Sequence, residues 1–201
     1  MLFHNFLTVL PLIMTVLAVA IPDTKSVDSA PAFADIIDNP IWANIRKISA
    51  DTPSKSDKWA AIEKLVKGTF LDPEVIAASQ AARTSTSDDP IAQSVQCDTT
   101  GGSPNYYESI TLVSEVYGRR DETHGRVYNP GRGCSEHASL GSSHFGVCSW
   151  NDSVMSWKTF GDFSYAVTTR CIGYYNGTPL SGGRYEWDTS NPRFHDDVRV
   201  Y

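Results

Sequence analysis

A surplus of positive charge is absent from this sequence of 201 residues. Lysine and arginine together number 17, aspartate and glutamate number 23, and no long basic run occurs. Because phosphate backbones are bound by surplus or clustered basic side chains, we expect no nucleic-acid partner. With 41% hydrophobic and 20% charged residues, the composition also excludes a collagen, a coiled coil and a wholly disordered chain.

Long hydrophobic runs are missing everywhere except at the N-terminus. Residues 6–20 form one nearly unbroken apolar run, with small residues near its end at Ala18 and Ala20. This run is shorter than the roughly 20 residues that a membrane-spanning helix needs, and it has the length of a secretory signal. We therefore predict a signal peptide over residues 1–20 and a secreted, extracellular protein with no stable membrane anchor.

Familiar catalytic motifs are missing as well. The sequence holds no Gly-x-Ser-x-Gly elbow, no His-Glu-x-x-His pair and no phosphate-binding glycine loop. We therefore expect a protein that is not an enzyme and that carries no cofactor and no metal. One alternative is a small secreted hydrolase such as a ribonuclease, with Glu136 and His137 as acid and base beside Arg132. Another is a metal site at Cys134, His137 and His144, whose spacing matches no standard zinc module.

Cysteine is absent from the first half of the chain, and glycine and aromatic residues are scarce there. From Cys97 onward lie 13 of the 14 glycines, 16 of the 22 aromatic residues and all four cysteines. In an oxidising compartment an even number of cysteines predicts disulfides, here two bonds with three possible pairings. The cysteines of this predicted disulfide-containing domain, residues 95–201, are Cys97, Cys134, Cys148 and Cys171.

Residues 21–94 have the pattern of a helical segment that ends in a linker. Asn39-Pro40, Ser56 and Asp72-Pro73 are each placed to begin a helix, because apolar residues follow them at helical spacing. The polar run 84–90 predicts the linker. Such a segment is either a pro-segment that is removed or an N-terminal extension that packs on the domain, and both interpretations stay open.

The hydrophobic spacing of residues 95–201 mixes helical and extended periods, which predicts an α+β fold. The predicted elements are a helix over 103–118, a polar glycine-rich loop over 119–141, strands over 145–150 and 153–158, a helix over 159–173, and two strands that carry Tyr185, Trp187, Val198 and Val200.

Short motifs in residues 104–201 occur in a characteristic order. They are Gly133-Cys134, the run GVCSWNDS at 146–153, Phe160-Gly161-Asp162 before a helix that ends in Cys171, and Ser181-Gly182-Gly183. In this order they resemble a broad group of small secreted fungal proteins that are related to smut-fungus killer toxins and to extracellular necrosis-inducing effectors. Members of the group carry a further cysteine near residues 153–156 and another near the C-terminus, which this chain lacks.

The resemblance implies both a fold and a function. The implied fold is a small α/β sandwich with two helices on an antiparallel sheet, here preceded by the helical N-terminal segment. The implied function is that of an effector or killer-toxin-like virulence protein, which recognises an unknown surface target on a host or competitor cell. We expect it to act as a monomer.

Aromatic residues and sequons complete the candidate sites. Planar rings stack on sugars, so a carbohydrate-binding protein is a further alternative, although the same rings are also suited to fill a core that is poor in leucine and isoleucine. The candidate rings are Trp150, Trp157, Tyr174, Tyr175, Tyr185 and Trp187. Asn151 and Asn176 each begin an N-glycosylation sequon.

Overall fold

The architecture is taken from a computed structural model that describes residues 36–83, 95–120, 126–150, 152–188 and 196–201. These residues all belong to one unit that spans residues 33–201. None of the helices that they form is long and apolar enough to cross a membrane. The predicted signal peptide and linker lie outside the described residues.

The fold is α+β, as the sequence predicts. The described helices are α1 (Ile41–Asp51), α2 (Lys55–Val66), α3 (Pro73–Arg83), α4 (Tyr106–Gly118) and α5 (Trp157–Arg170). The described strands are β1 (Val95–Cys97), β2 (Arg126–Asn129), β3 (Gly133–Leu140), β4 (Ser143–Ser149), β5 (Ser153–Ser156), β6 (Ile172–Tyr175), β7 (Thr178–Ser181), β8 (Gly183–Asp188) and β9 (Asp196–Val200).

Five strands form one antiparallel sheet with the order β1-β8-β9-β4-β3. Successive side chains of a strand point to opposite faces, so each strand presents an inner and an outer set. Phe145, Val147 and Val198 belong to the inner set and are fully buried, and this face packs on α4 and α5. Strands β2-β5 and β6-β7 form two small separate antiparallel pairs.

Capping side chains define where the helices begin. Helix α5 begins at Trp157, two residues before the predicted start at residue 159, because Ser156 accepts a hydrogen bond from the backbone N–H of Thr159 at 3.0 Å. Helix α4 likewise begins after Asn105, whose side chain accepts from the N–H of Tyr107 at 2.9 Å. Both caps satisfy N–H groups that have no partner within the first helical turn.

The prediction of a loop over residues 119–141 is wrong, because β2 and β3 lie within that range. The amide of Asn129, a buried residue, donates to the carbonyl oxygens of Gly133 at 3.0 Å and Val147 at 2.7 Å. It thereby fixes the turn between the two strands. Strand β3 is polar and shows little hydrophobic alternation, so its formation depends on its pairing with β4.

The two disulfides join Cys134 to Cys148 and Cys97 to Cys171. The first connects directly opposed residues of β3 and β4. The second joins β1 to the C-terminal end of α5. Each bond therefore ties an edge strand of the five-stranded sheet to the rest of the fold.

The N-terminal helices share a core with the disulfide-containing region. The Trp42 ring of α1 packs edge-on against the rings of Tyr117 in α4, at 5.2 Å, and Tyr165 in α5, at 5.9 Å. The hydroxyl of Tyr106 donates to the carbonyl of Leu71 at 2.8 Å. The amide of Gln80 donates to carbonyl oxygens at the end of α5, which have no partner within the helix.

A buried carboxylate joins three parts of the fold. Glu108 of α4 is 3% exposed, lies 2.7 Å from the ammonium of Lys55 and accepts hydrogen bonds from the backbone and hydroxyl of Ser142. Burial raises the pKa of Glu108, but these hydrogen bonds outweigh burial and leave the pKa below its ordinary value. Gly141 has a φ of +61°, and a side chain there would overlap Glu108.

Replacement of Trp42 tests how much the helical segment stabilises the rest. Trp42 is 1% exposed, so Trp42→Ala removes a buried ring and leaves a cavity between α1, α4 and α5. We expect it to lower the free energy of unfolding by about 3–5 kcal/mol, measured by urea denaturation. Trp59→Ala is the matched control at a half-buried ring and should cost clearly less. Equal effects of the two changes would contradict a shared core.

Candidate functional site

The outer face of the five-stranded sheet carries an ordered group of polar side chains. Its strand register places five residues in one row across the whole sheet. In order from β1 to β3 they are Gln96, Arg184, Arg199, Gly146 and Glu136. We call this row, together with His144 and Tyr201 beside it, the outer-face site.

Two arginines stand side by side at the centre of the row, and carboxylates fix both of them. Arg199 donates to both oxygens of Asp197, at 2.7 and 3.1 Å. Arg184 donates to Glu186 at 2.8 Å and to Asp98 at 3.3 Å. Asp197 and Glu186 are only 2% and 6% exposed, so each pair is a partly buried, charge-assisted contact rather than a loose surface ion pair.

The contact with Asp197 also favours the charged form of Arg199. The hydrogen bonds to Asp197 raise the pKa of Arg199 above its ordinary value, against the opposing effect of burial. A guanidinium is charged at all physiological pH values even without this help. The two arginines are therefore permanent cations that neighbouring side chains hold in fixed orientations.

An acidic residue and a histidine pair at the other end of the row. His144 Nδ1 lies 2.9 Å from a carboxylate oxygen of Glu136 across the β3-β4 pair. Hydrogen bonds from Ser139 and His144 lower the pKa of Glu136. The His144 ring also stacks on Tyr201, with 5.8 Å between ring centres and 18° between planes.

Gly146 leaves room for the ring of Tyr201. A Cβ atom at position 146 would lie 3.2 Å from the Tyr201 hydroxyl and 3.0 Å from the carbonyl oxygen of Ser135. Both contacts are tighter than an ordinary van der Waals contact. The absence of a side chain on β4 is therefore what lets Tyr201 lie between Arg199 and the Glu136–His144 pair.

The structure does not bring together the Glu136 and His137 of the hydrolase alternative. Glu136 belongs to the outer face, but His137 lies at an irregularity of β3 and packs against Phe160, with 5.8 Å between ring centres. Arg132 lies in the turn before β3, outside the row. The structure instead brings Glu136 together with His144. These two residues are eight positions apart in the sequence and meet across the paired strands β3 and β4.

The alternative metal site at Cys134, His137 and His144 has no free thiolate to serve as a ligand. Cys134 is disulfide-bonded to Cys148, so its sulfur is not available as a thiolate ligand. His137 packs on the inner side and His144 pairs with Glu136 on the outer face. Among the described residues, no three His, Cys, Asp or Glu side chains are grouped so that they could hold a metal ion.

The six candidate rings for stacking on sugars divide between core and surface. Trp157 is buried, and the rings of Tyr185 and Trp187 both stack on Phe163 in the inner layer. The expectation that Trp150 fills the core is wrong, because it is 45% exposed. Tyr174 and Tyr175 are exposed too, but they are neighbours on β6 and therefore point to opposite faces.

The structure describes one of the two predicted glycosylation sites, Asn176. Asn176 is exposed at the turn between β6 and β7, with a φ of +52° beside Gly177 at +78°. That placement leaves its side chain accessible. Asn151 lies outside the described residues. Use of either sequon stays a prediction.

Sequence reasoning missed Arg184, Arg199 and Tyr201 as members of a site. Their only local signal is alternation, since each occupies the polar phase of a strand whose other phase carries Tyr185, Val198 or Val200. Alternation indicates that a residue points outward, but it does not indicate which outward residues of different strands are neighbours. The register of the sheet supplies that information.

His137 provides a test of the inner side of β3. Its Nε2 atom is buried without a hydrogen-bond partner, and burial lowers the pKa of the ring. The folded protein therefore resists protonation, whereas the unfolded chain takes up a proton near pH 6.5. We expect the free energy of unfolding to fall as the pH drops below about 6.5, and we expect His137→Leu to reduce this loss. Urea titrations of both proteins between pH 5 and 8 measure the difference, and parallel curves would contradict it.

Comparison of the chain with protein-family models, with curated proteins and with solved structures finds no match.

Proposed function

We propose that the protein is secreted and acts by binding a surface target on a host or competitor cell, as the resemblance to killer toxins and necrosis-inducing effectors implies. The outer-face site is the proposed binding surface. The observation that carries this proposal is the row Gln96–Arg184–Arg199–Gly146–Glu136, which extends across all five strands. A polar face that spans the whole sheet offers many groups for the hydrogen bonds that protein interfaces contain.

Preorganisation of the arginines supports binding. Association costs free energy when long side chains lose rotamer freedom at an interface. Arg184 and Arg199 have already lost that freedom to Glu186, Asp98 and Asp197. Arginine and tyrosine are also among the residue types that contribute most at protein interfaces.

The disulfides support a role outside the cell. Disulfides form and persist in oxidising compartments, and they are rare in the cytosol. Both bonds fix edge strands of the sheet that carries the outer-face site, since Cys134 is in β3 and Cys97 in β1. Together with the predicted signal peptide over residues 1–20, they favour secretion of a protein whose binding surface stays rigid in the extracellular medium.

Charge reversal at Glu136 tests the proposed surface. Glu136 is exposed at the end of the row, so Glu136→Lys changes the charge of the outer face without burying a charge. We expect labelled Glu136→Lys protein to bind intact plant or fungal cells about tenfold more weakly than the unaltered protein, a change of about 1.4 kcal/mol. The matched control is Glu63→Lys, the same substitution at an exposed position of α2, which should bind unchanged.

The outcomes test two questions separately: whether the protein binds cells at all, and whether it does so through the outer face. Melting temperatures of both variants establish that each is folded. Equal binding by both variants and the unaltered protein would refute the outer face as the binding surface. Failure of the unaltered protein to bind either cell type would refute the recognition proposal itself.

A second candidate function is hydrolysis, and the Glu136–His144 pair favours it. A carboxylate that accepts a hydrogen bond from Nδ1 of a histidine orients the ring and leaves Nε2 to accept or donate a proton. Arg199 lies opposite Gly146 on the strand next to His144 and supplies a cation on the same face. A secreted hydrolase such as a ribonuclease needs these three kinds of group.

Incubation with RNA and with polysaccharide tests the second candidate. The recognition proposal predicts that the unaltered protein leaves both substrates intact, as measured by gel electrophoresis and by release of reducing sugar. If either substrate is cleaved, His144→Gln should reduce the rate at least about 100-fold, the usual effect of an acid–base group. His137→Gln, at a histidine on the inner side, serves as the control. Cleavage that is lost only in His144→Gln would refute the recognition proposal and support hydrolysis as the function.

A further inference from the structure

A cavity opens on the outer face beside the paired arginines. It has a volume of about 290 Å³ and lies where β8 and β9 meet the segment that connects β1 to α4. The side chains that line it and enter the argument are those of Asp98, Thr100, Ser103, Arg184, Arg199 and Tyr201. We propose that this cavity binds one sugar residue of a cell-surface glycan. The inference rests on the proposed recognition function and names the chemical class of its target.

Several side chains around the cavity have N–H or O–H groups that are not used in hydrogen bonds among the described residues. Arg199 uses Nε and one terminal nitrogen on Asp197, and its other terminal nitrogen has no partner among the described residues. The hydroxyl oxygens of Thr100 and Ser103 accept backbone N–H groups at 3.3 and 2.8 Å. Their hydroxyl hydrogens remain available to a ligand.

Acceptors lie next to these donors. Asp98 is paired with Arg184 through one carboxylate oxygen, at 3.3 Å, and its side chain is 66% exposed. Its second oxygen is therefore accessible to a ligand. Every sugar hydroxyl both donates and accepts, so adjacent donors and acceptors on a rigid wall match a ring that carries several hydroxyl groups.

The charge balance favours a neutral ligand over an anion. Around Arg184 and Arg199 stand three carboxylates, those of Asp98, Glu186 and Asp197. Two cations against three anions leave no positive surplus to attract phosphate or sulfate. An uncharged hydroxylated ligand does not depend on a surplus of charge, because it takes its binding energy from hydrogen bonds and contact area.

The ring of Tyr201 supplies apolar contact area. It is 47% exposed, lines the cavity, and is held in place by stacking on His144. Aromatic rings bind the apolar C–H faces of sugars, and the tyrosine hydroxyl adds a polar group at the edge of the ring. A volume of about 290 Å³ corresponds to roughly ten water molecules at about 30 Å³ each. This is enough space for one pyranose ring.

An array of oligosaccharides tests the inference on the full chain. The probes are β-1,3-glucan, chitin and mannan oligosaccharides, with pectin and heparin oligosaccharides as the anionic comparisons. We expect the unaltered protein to bind at least one neutral oligosaccharide with a dissociation constant between the micromolar and millimolar range, confirmed by titration calorimetry. We expect no preference for pectin or heparin, because the arginines are already neutralised.

Two variants locate the binding site without removal of a buried ion pair. Tyr201→Ala deletes the exposed ring, and Arg199→Lys keeps a cation beside Asp197 but removes the planar fork and its unused nitrogen. We expect each to weaken binding of the selected oligosaccharide at least tenfold. Tyr128→Ala is the matched control, because Tyr128 is 49% exposed on β2, outside the five-stranded sheet, and it should bind like the unaltered protein.

The outcomes distinguish this inference from the function on which it rests. If the protein binds cells but no oligosaccharide, or prefers pectin or heparin, the sugar site is refuted and surface recognition stands. If it binds an oligosaccharide that Tyr201→Ala and Arg199→Lys still bind unchanged, the cavity is refuted as the site. If it binds neither cells nor oligosaccharides, both proposals are refuted.

Discussion

Burial of helix α4 on both of its sides is the constraint on which the rest of the fold depends. Eleven of its 13 residues are buried, so no side of the helix is left for solvent. The N-terminal helices cover one side through Trp42, and the five-stranded sheet covers the other. Its buried carboxylate, Glu108, needs Lys55 from the helical segment and Ser142 from the tip of the β3-β4 hairpin. Removal of one partner would leave a buried charge with fewer hydrogen bonds, which is costly.

This arrangement determines what the outer face of the sheet can carry. Because the inner face is covered by α4 and α5, it takes the apolar set of each strand. The polar set is left on the other side, where the register places Arg184 next to Arg199. Two like charges directly opposite each other on neighbouring strands destabilise a sheet. The carboxylates of Glu186 and Asp197 offset that repulsion and hold both guanidinium groups still. The same network that makes the face stable makes it rigid enough for recognition.

Local sequence signals predicted the helices well and the polar strands poorly. The start of α3 follows from Asp72-Pro73, where the carboxylate accepts from the N–H of Glu74 at 2.9 Å. Strands β8 and β9 follow from alternation of Tyr185 and Val198 with charged neighbours. Strand β3 has no such signal, because its stability comes from pairing with β4 and from the buried amide of Asn129. An amide that bonds to carbonyl oxygens four and 18 residues away leaves no periodic pattern in the sequence.

The sequence by itself determined the class of the fold, the helix boundaries to within a few residues, and which positions of β8 and β9 point to the core. These properties depend on hydrophobic period and on caps that act over three or four residues. Only the tertiary structure decided which cysteines pair and that His144, rather than His137, meets Glu136. It also decided that Arg184 and Arg199 stand side by side. Such neighbours belong to different strands, and their proximity is set by the register of the sheet, to which residues far apart in the chain contribute.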